Sequence, residues 1–390
     1  MPADSGRIPR IRIAVLGIIT ISVYGSWYYG FGVLLDPIIS DTGWSEASLT
    51  AAFGASSMVA GIGSLFGGWL LDRHGSRLVF AAAAVFGVLA FAVATTTASL
   101  GVFVLAGCVG GGAFGALGFY HVTQTAAVRV SAEAATRAIA VLTIWGAFAS
   151  AIYIPVTAWL VESFDWRTAL RATTASAVVW LLVGAISIDT RTVDAARRSP
   201  IWSELRSSLR SPVARRYVFS QGLVGMGVGI ILVYQVPAMT AAGLGLGAAS
   251  FWAAFRGFAQ LGGRLPLMPI VARLGTTGAL RLSYGAISIG ALLLAVAGSP
   301  WVAAGFAVVA GFGIGASSPL QGMHARIVFG ASSLGTAMGL LSLVFMVIGS
   351  IGPAAAGTIA TATGSRALPV FGGAVLTAAA IPLLRDPDTA

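Results

Sequence analysis

The chain has 390 residues, of which 57% are hydrophobic and only 9% are charged. A soluble domain carries roughly 25% charged residues, so this chain cannot cover a water-exposed surface, and a soluble globular protein is excluded. The formal net charge is +10, but the basic residues, all of them arginine, lie mostly between apolar stretches. This distribution argues against a nucleic-acid-binding protein and is typical of the cytoplasmic loops of membrane proteins.

Apolar stretches long enough to cross the hydrocarbon of a bilayer, which takes about 20 residues, recur along the whole chain. Inside lipid, every backbone polar group must be hydrogen bonded within its own segment, so these stretches predict α-helices. The sequence therefore predicts an all-α polytopic membrane protein with twelve transmembrane helices. We place the spans near residues 12–36, 46–71, 77–97, 99–126, 137–160, 168–188, 217–240, 246–271, 278–298, 301–325, 333–358 and 367–384.

A polar, arginine-rich connector at residues 189–216 divides the predicted helices into two sets of six. We therefore predict an N-terminal six-helix bundle over residues 1–188 and a C-terminal six-helix bundle over residues 217–390. Within the connector, Trp202–Leu209 is interpreted either as a short helix on the anionic inner leaflet or as a solvated linker.

The arginines also predict the orientation of the chain, because cytoplasmic loops carry an excess of positive charge. With the N-terminus inside, only Arg167, Arg171 and Arg366 fall in loops on the outer side. We therefore predict a multi-pass protein of the inner, cytoplasmic membrane with both termini in the cytoplasm.

A charged loop follows the second predicted span. Its residues Gly68, Asp72, Arg73, Gly75 and Arg77 have the spacing G-x-x-x-D-R-x-G-x-R. We expect Gly68 to allow close helix packing, Gly75 to permit the turn, and the carboxylate to pair with Arg73 at the cytoplasmic face. The spacing and the position of this loop resemble the signature of the major facilitator superfamily.

This resemblance covers nearly the whole chain and implies the major facilitator fold, two pseudo-symmetric six-helix bundles. It implies a secondary transporter that works by alternating access, and not an enzyme. It further implies a monomer that needs no cofactor or metal. The charged loop is then a gate that locks the outward-facing state, and a topological anchor without a gating role is the alternative.

The second half resembles the first at the corresponding loop. Arg273 and Gly275 repeat the arginine and the glycine, but Ala272 stands where the first half has an aspartate, so a second lock is weakened. Later in the same half, Gly349–Gly357 resembles a glycine–proline motif of the superfamily, in which we expect a bent helix and a tight interface.

Two stretches resemble the monocarboxylate and oxalate–formate porter branch of the superfamily. Tyr24–Thr50 has the aromatic first helix and the short "GWS" lead into helix two, and Pro155–Leu170 ends in a Trp-Arg step. The resemblance implies a carboxylate substrate.

The eighth predicted span contains two arginines, Arg256 and Arg264, and no other charge. A charged side chain at a helix centre costs about 2.5–3.5 kcal/mol on insertion scales, so we expect both to face a cavity. Eight residues separate them by about 12 Å along the axis and about 80° around it, so both can line one side of a pore. Guanidinium binds carboxylate in a bidentate manner, which favours an organic anion. The alternative is that one of these arginines pairs with backbone carbonyls or lies near the membrane surface.

By resemblance, Arg264 occupies the place of the substrate-binding arginine of the porter branch. Gln260 stands where monocarboxylate porters often have an aspartate, and no charge occurs from Ser333 to Ala356, where oxalate-type porters have a second cation. A two-cation dicarboxylate site on helices eight and eleven is therefore disfavoured.

Other candidate residues are aromatic, amide or titratable, and ordinary packing or an interfacial position is the alternative for each. The titratable candidates leave exchange, uniport and symport open. The candidate substrate contacts are Tyr24, Tyr28, Tyr120, Trp145, Tyr153, Gln235 and Gln321, and the candidate proton-coupling groups are Asp36, His121 and His324.

The favoured hypothesis is transport of a small organic anion, with a monocarboxylate as the preferred class. The alternative is an efflux porter for neutral hydrophobic drugs or metabolites, which would use an aromatic cavity. A membrane sensor or a membrane enzyme is disfavoured, because we find no signalling-domain pattern, nucleophile motif or metal-ligand cluster in the sequence.

Overall fold

The computed structural model describes residues 9–131, 134–190, 209–330 and 334–385. Within these ranges the chain is helical and contains no β-strand, so the expected all-α architecture is confirmed. The segment Trp202–Leu209, interpreted as a helix or a linker, lies outside the described residues except for its last one.

The chain divides into two compact units, the first of Met1–Thr42 with Ala55–Ala195 and the second of Gly43–Gly54 with Ala196–Ala390. In the first unit, the opening helix packs against the four that follow residue 100, so the core of this unit surrounds it. The elements are α1 (Arg10–Val23), a π-helical segment (Tyr24–Tyr29), α2 (Phe31–Thr42), α3 (Glu46–Ala94), α4 (Leu100–Gly118), α5 (Tyr120–Val130), α6 (Ala135–Ser163) and α7 (Trp166–Ser187).

The second unit is also arranged around its opening long helix. This helix packs against every later α-helix of the unit. The fourth helix also packs closely against the second and the third, and the third packs against the last. The elements are α8 (Pro212–Ala241), α9 (Leu246–Arg264), α10 (Leu267–Ala295), α11 (Pro300–Phe329), α12 (Leu334–Gly349), α13 (Ile351–Thr363), α14 (Ala367–Ala380) and a 3-10 turn (Ile381–Leu383).

Several helix starts follow from local sequence signals. Ser211 and Ser299 each accept a hydrogen bond from the backbone N–H three residues on and are each followed by proline, a combination that favours a helix start. Asp165 begins α7 in the same way. The backbone N–H of Thr168 donates to its carboxylate at 2.6 Å and holds the pKa of that carboxyl below its usual value.

Nine helical segments among the described residues are long and apolar enough to cross a membrane. One of them, Glu46–Ala94, has 49 residues and contains two predicted spans, joined at Gly75. The predicted eighth and twelfth spans, 246–271 and 367–384, correspond to the helical segments Leu246–Arg264 and Ala367–Leu383, which are not among the nine. The count of twelve therefore remains a prediction.

The structure adds breaks that the sequence pattern did not predict. The first span is α-helical up to Val23, becomes a π-helix over Tyr24–Tyr29 and then resumes. The fourth span is broken at Phe119, whose backbone is extended (φ −76°, ψ 178°). π-Helical insertions are frequent at functional positions. The side chains beside the π-helical segment and beside Phe119 are therefore candidates for a functional site.

Candidate functional site

Side chains at the two helix breaks of the first unit meet in an aromatic cluster. Tyr24 stacks on Phe119 with ring centroids 3.7 Å apart and planes 9° apart. The Tyr28 ring stands nearly perpendicular to Tyr24, Tyr29 and Phe119, at centroid distances of 5.4–5.8 Å. Tyr120 lies 5.4 Å from Tyr24. A π-helical segment and a broken helix thus place their rings against each other.

The helix α6 completes this aromatic cluster. Trp145 and Phe148 pack with Tyr24 and Tyr29 against a buried group that includes Tyr153. We define the aromatic cluster as Tyr24, Tyr28, Tyr29, Phe119, Tyr120, Trp145, Phe148 and Tyr153. Five of its eight members were candidate substrate contacts, and the structure brings those five together. Tyr29, Phe119 and Phe148 were missed, although the run "WYY" was a usable signal.

In the second unit, Arg256 of α9 is fully buried and bound to a polar side chain. Its Nε donates to Oε1 of Gln235 at 2.8 Å, and Gln235 Nε2 donates to the carbonyl of Leu232 at 3.2 Å. Arg256 is 0% exposed, so the expectation that this guanidinium faces water is not met in this conformation. The structure does join two predicted site residues, one from α8 and one from α9.

Arg264, at the end of α9, is half-buried, and its Nε donates to the carbonyl of Gly315 at 3.3 Å. Gly315 also sets how closely the helices approach, because a Cβ there would collide with the carbonyl of Gln260. The backbone of α11 thus holds the arginine and the buried glutamine four residues before it. The backbone-carbonyl contact expected as the alternative for these arginines is present at Arg264.

Gln321 and His324 belong to a polar network of the second unit that includes Tyr217 and Thr277. The Tyr217 hydroxyl donates to the Gln321 carbonyl at 2.7 Å. His324 Nδ1 lies 3.1 Å from Thr277 Oγ1, and its ring meets the Tyr217 ring edge-on at 4.6 Å. The other titratable candidates are half-buried: Nε2 of His121 lies 2.8 Å from the Ala116 carbonyl, next to the break in the fourth span, and Asp36 precedes a proline in α2.

In the charged loop, Asp72 forms an ion pair with Arg129 of α5, and Arg129 Nη1 also donates to the Leu71 carbonyl at 3.0 Å. The Arg73 guanidinium lies over the Trp69 ring at 5.5 Å. The expected pairing of this carboxylate with Arg73 is therefore wrong, and its partner is Arg129. The separation of 57 residues between acid and base gave no local signal.

The remaining residues of the charged loop form hydrogen bonds with the C-terminal end of α7 and with the residues that follow it. The backbone N–H of Ser76 donates to Thr190 Oγ1 at 2.9 Å, and Ser76 Oγ donates to the Ile188 carbonyl at 2.7 Å. Arg77 Nε donates to the Ala185 carbonyl at 3.2 Å. Gly75 has φ +75° and lies against Thr190, so the expected turn glycine is found.

The close helix packing expected at Gly68 is found at the neighbouring glycine, Gly67, instead. A Cβ at Gly67 would collide with the Ala116 carbonyl, whereas a Cβ at Gly68 would meet nothing within 4 Å among the described residues. The reason is the helical rotation of about 100° per residue, which turns the two glycines to different faces.

The three arginines predicted to lie outside all bind within their own units. Arg167 pairs with Asp41, which also accepts from Trp166 Nε1 at 3.0 Å. Arg171 Nε donates to Thr95 Oγ1 at 2.9 Å. In the second unit, Arg366 binds Glu46 at 3.1 Å, and the Tyr234 hydroxyl donates to the same carboxylate at 2.7 Å. These exceptions to the charge asymmetry therefore have structural roles.

The sequence profile of the Major Facilitator Superfamily matches residues 16–325. The chain belongs to this superfamily. As a superfamily member it is a membrane transporter and not an enzyme, as predicted. Among curated proteins, none matches the chain by sequence.

Solved structures of other superfamily transporters share the fold. A variant of the nucleoside transporter NupG superposes with a TM-score of 0.81 at 15% identity, covering 96% of this chain and 100% of that one. An auto-inhibited POT family peptide transporter gives 0.71 at 15% identity, covering 96% of both chains. A POT family transporter in complex with 5-aminolevulinic acid gives 0.69 at 12% identity, covering 95% of both. At these identities the likeness shows the fold alone.

Proposed function

We propose that this superfamily member transports a small organic anion, with a monocarboxylate as the preferred class, across the cytoplasmic membrane by alternating access. We further propose that it acts as a monomer, with both termini in the cytoplasm and bundles at residues 1–188 and 217–390. The main support is the pair of arginines in α9, one enclosed with Gln235 and one half-buried.

The charge distribution of the second half supports an anionic substrate. From residue 205 to residue 385 the sequence contains arginines but no aspartate or glutamate. Among the described residues of the second unit, the single acidic residue is Glu46, which forms an ion pair with Arg366. A carboxylate substrate would bring negative charge to a helix whose formal charges are both positive, and guanidinium binds carboxylate in a matching planar geometry.

The two arginines of α9 receive different roles in this proposal. Arg264 is half-buried, so its guanidinium is the direct contact for the anion. Arg256 is enclosed and held by Gln235, so it acts through the field of its charge and becomes a direct contact only where that hydrogen bond opens. A conservative Arg264→Lys change keeps the charge but loses the bidentate geometry.

Uptake of labelled carboxylates into proteoliposomes tests the proposal. Lactate, oxalate and benzoate are the probes, after a thermal-shift screen of the purified protein with the same compounds. Arg264→Ala should abolish uptake of whichever probe is transported, and Arg264→Lys should retain part of it. Arg216→Ala, which removes an exposed arginine of the same unit, is the matched control and should transport normally. Normal uptake by Arg264→Ala excludes this site.

The alternative function, efflux of neutral hydrophobic compounds, is favoured by the aromatic cluster of the first unit. A neutral substrate needs no guanidinium, so its transport should not respond to Arg264→Ala. Protection of cells from neutral lipophilic compounds that persists in this variant would support the alternative and contradict the anion proposal.

A further inference from the structure

The aromatic cluster of the first unit is not accounted for by the binding of a carboxylate group. Its eight rings come from the first span, from the break residue Phe119 and Tyr120 after it, and from α6. The charge of an anion can be met by arginine alone. The rings therefore suggest that the part of the substrate beyond its carboxylate also has a binding site.

The backbone makes room for these rings at three glycines. A Cβ at Gly17 would lie 2.6 Å from the Trp145 ring, and one at Gly25 or Gly146 would collide with Tyr153 or with the Tyr120 hydroxyl. Gly17 and Gly25 lie in the first span and Gly146 lies in α6, so both helices approach the rings through glycine.

The position and polarity of the cluster suit a ligand better than lipid. The segment Tyr24–Tyr29 lies near the middle of the span Arg10–Thr42, and its three tyrosines are half-buried. Tyrosine combines an apolar ring with a hydroxyl that needs a polar partner, and hydrocarbon offers none. Hydroxyls of the cluster bind within the protein: Tyr120 donates to the Thr143 carbonyl at 3.3 Å, and Tyr153 binds Ser176.

We propose that the aromatic cluster binds a flat unsaturated ring, so that the transported anion is an aromatic carboxylate. The proposal rests on the proposed function for the carboxylate and on the cluster for the ring. Aromatic rings attract one another in stacked and edge-on arrangements, and the cluster already contains both, as the Tyr24–Phe119 stack and the perpendicular Tyr28 show. A saturated ring of equal size lacks the quadrupole that gives this attraction.

Four probes of matched size separate the two parts of the proposal: benzoate, cyclohexanecarboxylate, benzamide and cyclohexanecarboxamide. Their affinities for the purified protein are measured by calorimetry or thermal shift. We expect benzoate to bind about threefold to tenfold more tightly than cyclohexanecarboxylate, which is the range for one aromatic contact. Equal binding of these two acids overturns the aromatic inference and leaves anion transport intact.

The two amides complete the design. Preference for benzamide over cyclohexanecarboxamide, without binding of either acid, supports the ring site and removes the anion proposal. Binding of none of the four compounds overturns both proposals.

Variants of Tyr28 locate the ring preference within the cluster. Tyr28→Leu should lose the preference for benzoate, and Tyr28→Phe should retain it because the ring remains. Trp159→Leu is the control, since Trp159 is exposed and forms an edge-on pair with Phe164 outside the cluster. A full benzoate preference in Tyr28→Leu contradicts the inference. If that variant does not fold, the wild-type comparison of the two acids decides.

Discussion

The two glycine turns, one in each unit, have nearly the same backbone and different surroundings. Gly75 has φ 75° and ψ 175°, and Gly275 has φ 69° and ψ 169°. A Cβ at Gly75 would lie 2.5 Å from the Thr190 carbonyl, whereas one at Gly275 would meet no atom within 4 Å among the described residues. The backbone of the repeat is thus retained while its packing differs.

The polar contacts around these two turns also differ between the units. In the first unit, Asp72 binds Arg129, and the positions two hundred residues on are Ala272 and Phe329. The second unit has instead the contact between Thr277 Oγ1 and His324 Nδ1. The two turns thus share the glycine conformation, and the ion pair between Asp72 and Arg129 belongs to the first unit.

The largest predicted effect is on stability, from Gly75→Ala compared with Gly275→Ala. Both residues occupy a backbone region that is essentially reserved for glycine and costs other residues about 1–3 kcal/mol. Gly75→Ala adds a collision with the Thr190 carbonyl, and overpacking of this kind costs about 1–3 kcal/mol more. Thermal unfolding of the purified variants in detergent should show the larger decrease for Gly75→Ala.

Equal destabilisation of the two variants would mean that the contact of Gly75 with Thr190 contributes nothing to stability. The backbone of the two turns would then be the whole of their energetic role.

An intermediate effect is predicted for the ion pair of the first unit. The two side chains are 14% and 15% exposed, so removal of one charge leaves the other poorly solvated, at a cost of about 2–3 kcal/mol, somewhat below that of a fully buried pair. Asp72→Asn and Arg129→Gln should each lower the unfolding temperature, and the double variant should be less destabilised than the sum of both. Additive effects would show that the pair is not coupled.

The same variants test the gating role in transport. If the pair locks one conformation, Asp72→Asn should change the uptake rate in proteoliposomes at unchanged probe affinity. Ala272→Ser, at the corresponding place in the second unit, is the control and should leave the rate unchanged.

Much of the fold could be predicted from the sequence, because lipid imposes local rules. Each span must be apolar and helical over about 20 residues, and the turn glycines follow from the spacing of the charged loop. The helix breaks could not be predicted, since neither Tyr24–Tyr29 nor Phe119 is flanked by an unusual signal. A π-helical turn is stabilised by what packs on it, which here is the stack of two rings distant in sequence.

The residues of the candidate site were predicted more successfully than the groups to which they are hydrogen bonded. The arginines of α9 stand out because charge in an apolar span is costly. Their contacts with Gln235 and Gly315 depend on helices that are close only in the folded chain. The same holds for Arg129 and for Glu46, whose partner lies 320 residues away.

The smallest predicted effects come from the hydroxyl hydrogen bonds beside the two turns. Ser76→Ala removes two buried hydrogen bonds, from its Oγ to the Ile188 carbonyl and from the Thr190 N–H to its Oγ. Thr277→Val removes the contact of its Oγ1 with His324 Nδ1. Each such bond contributes about 1 kcal/mol, and Ser76 also joins the first turn to the end of α7, so Ser76→Ala should lower the unfolding temperature more than Thr277→Val. A larger decrease in Thr277→Val would mean that the second turn depends on a polar contact as strongly as the first, and the two turns would then differ in the type of their contacts and not in the strength.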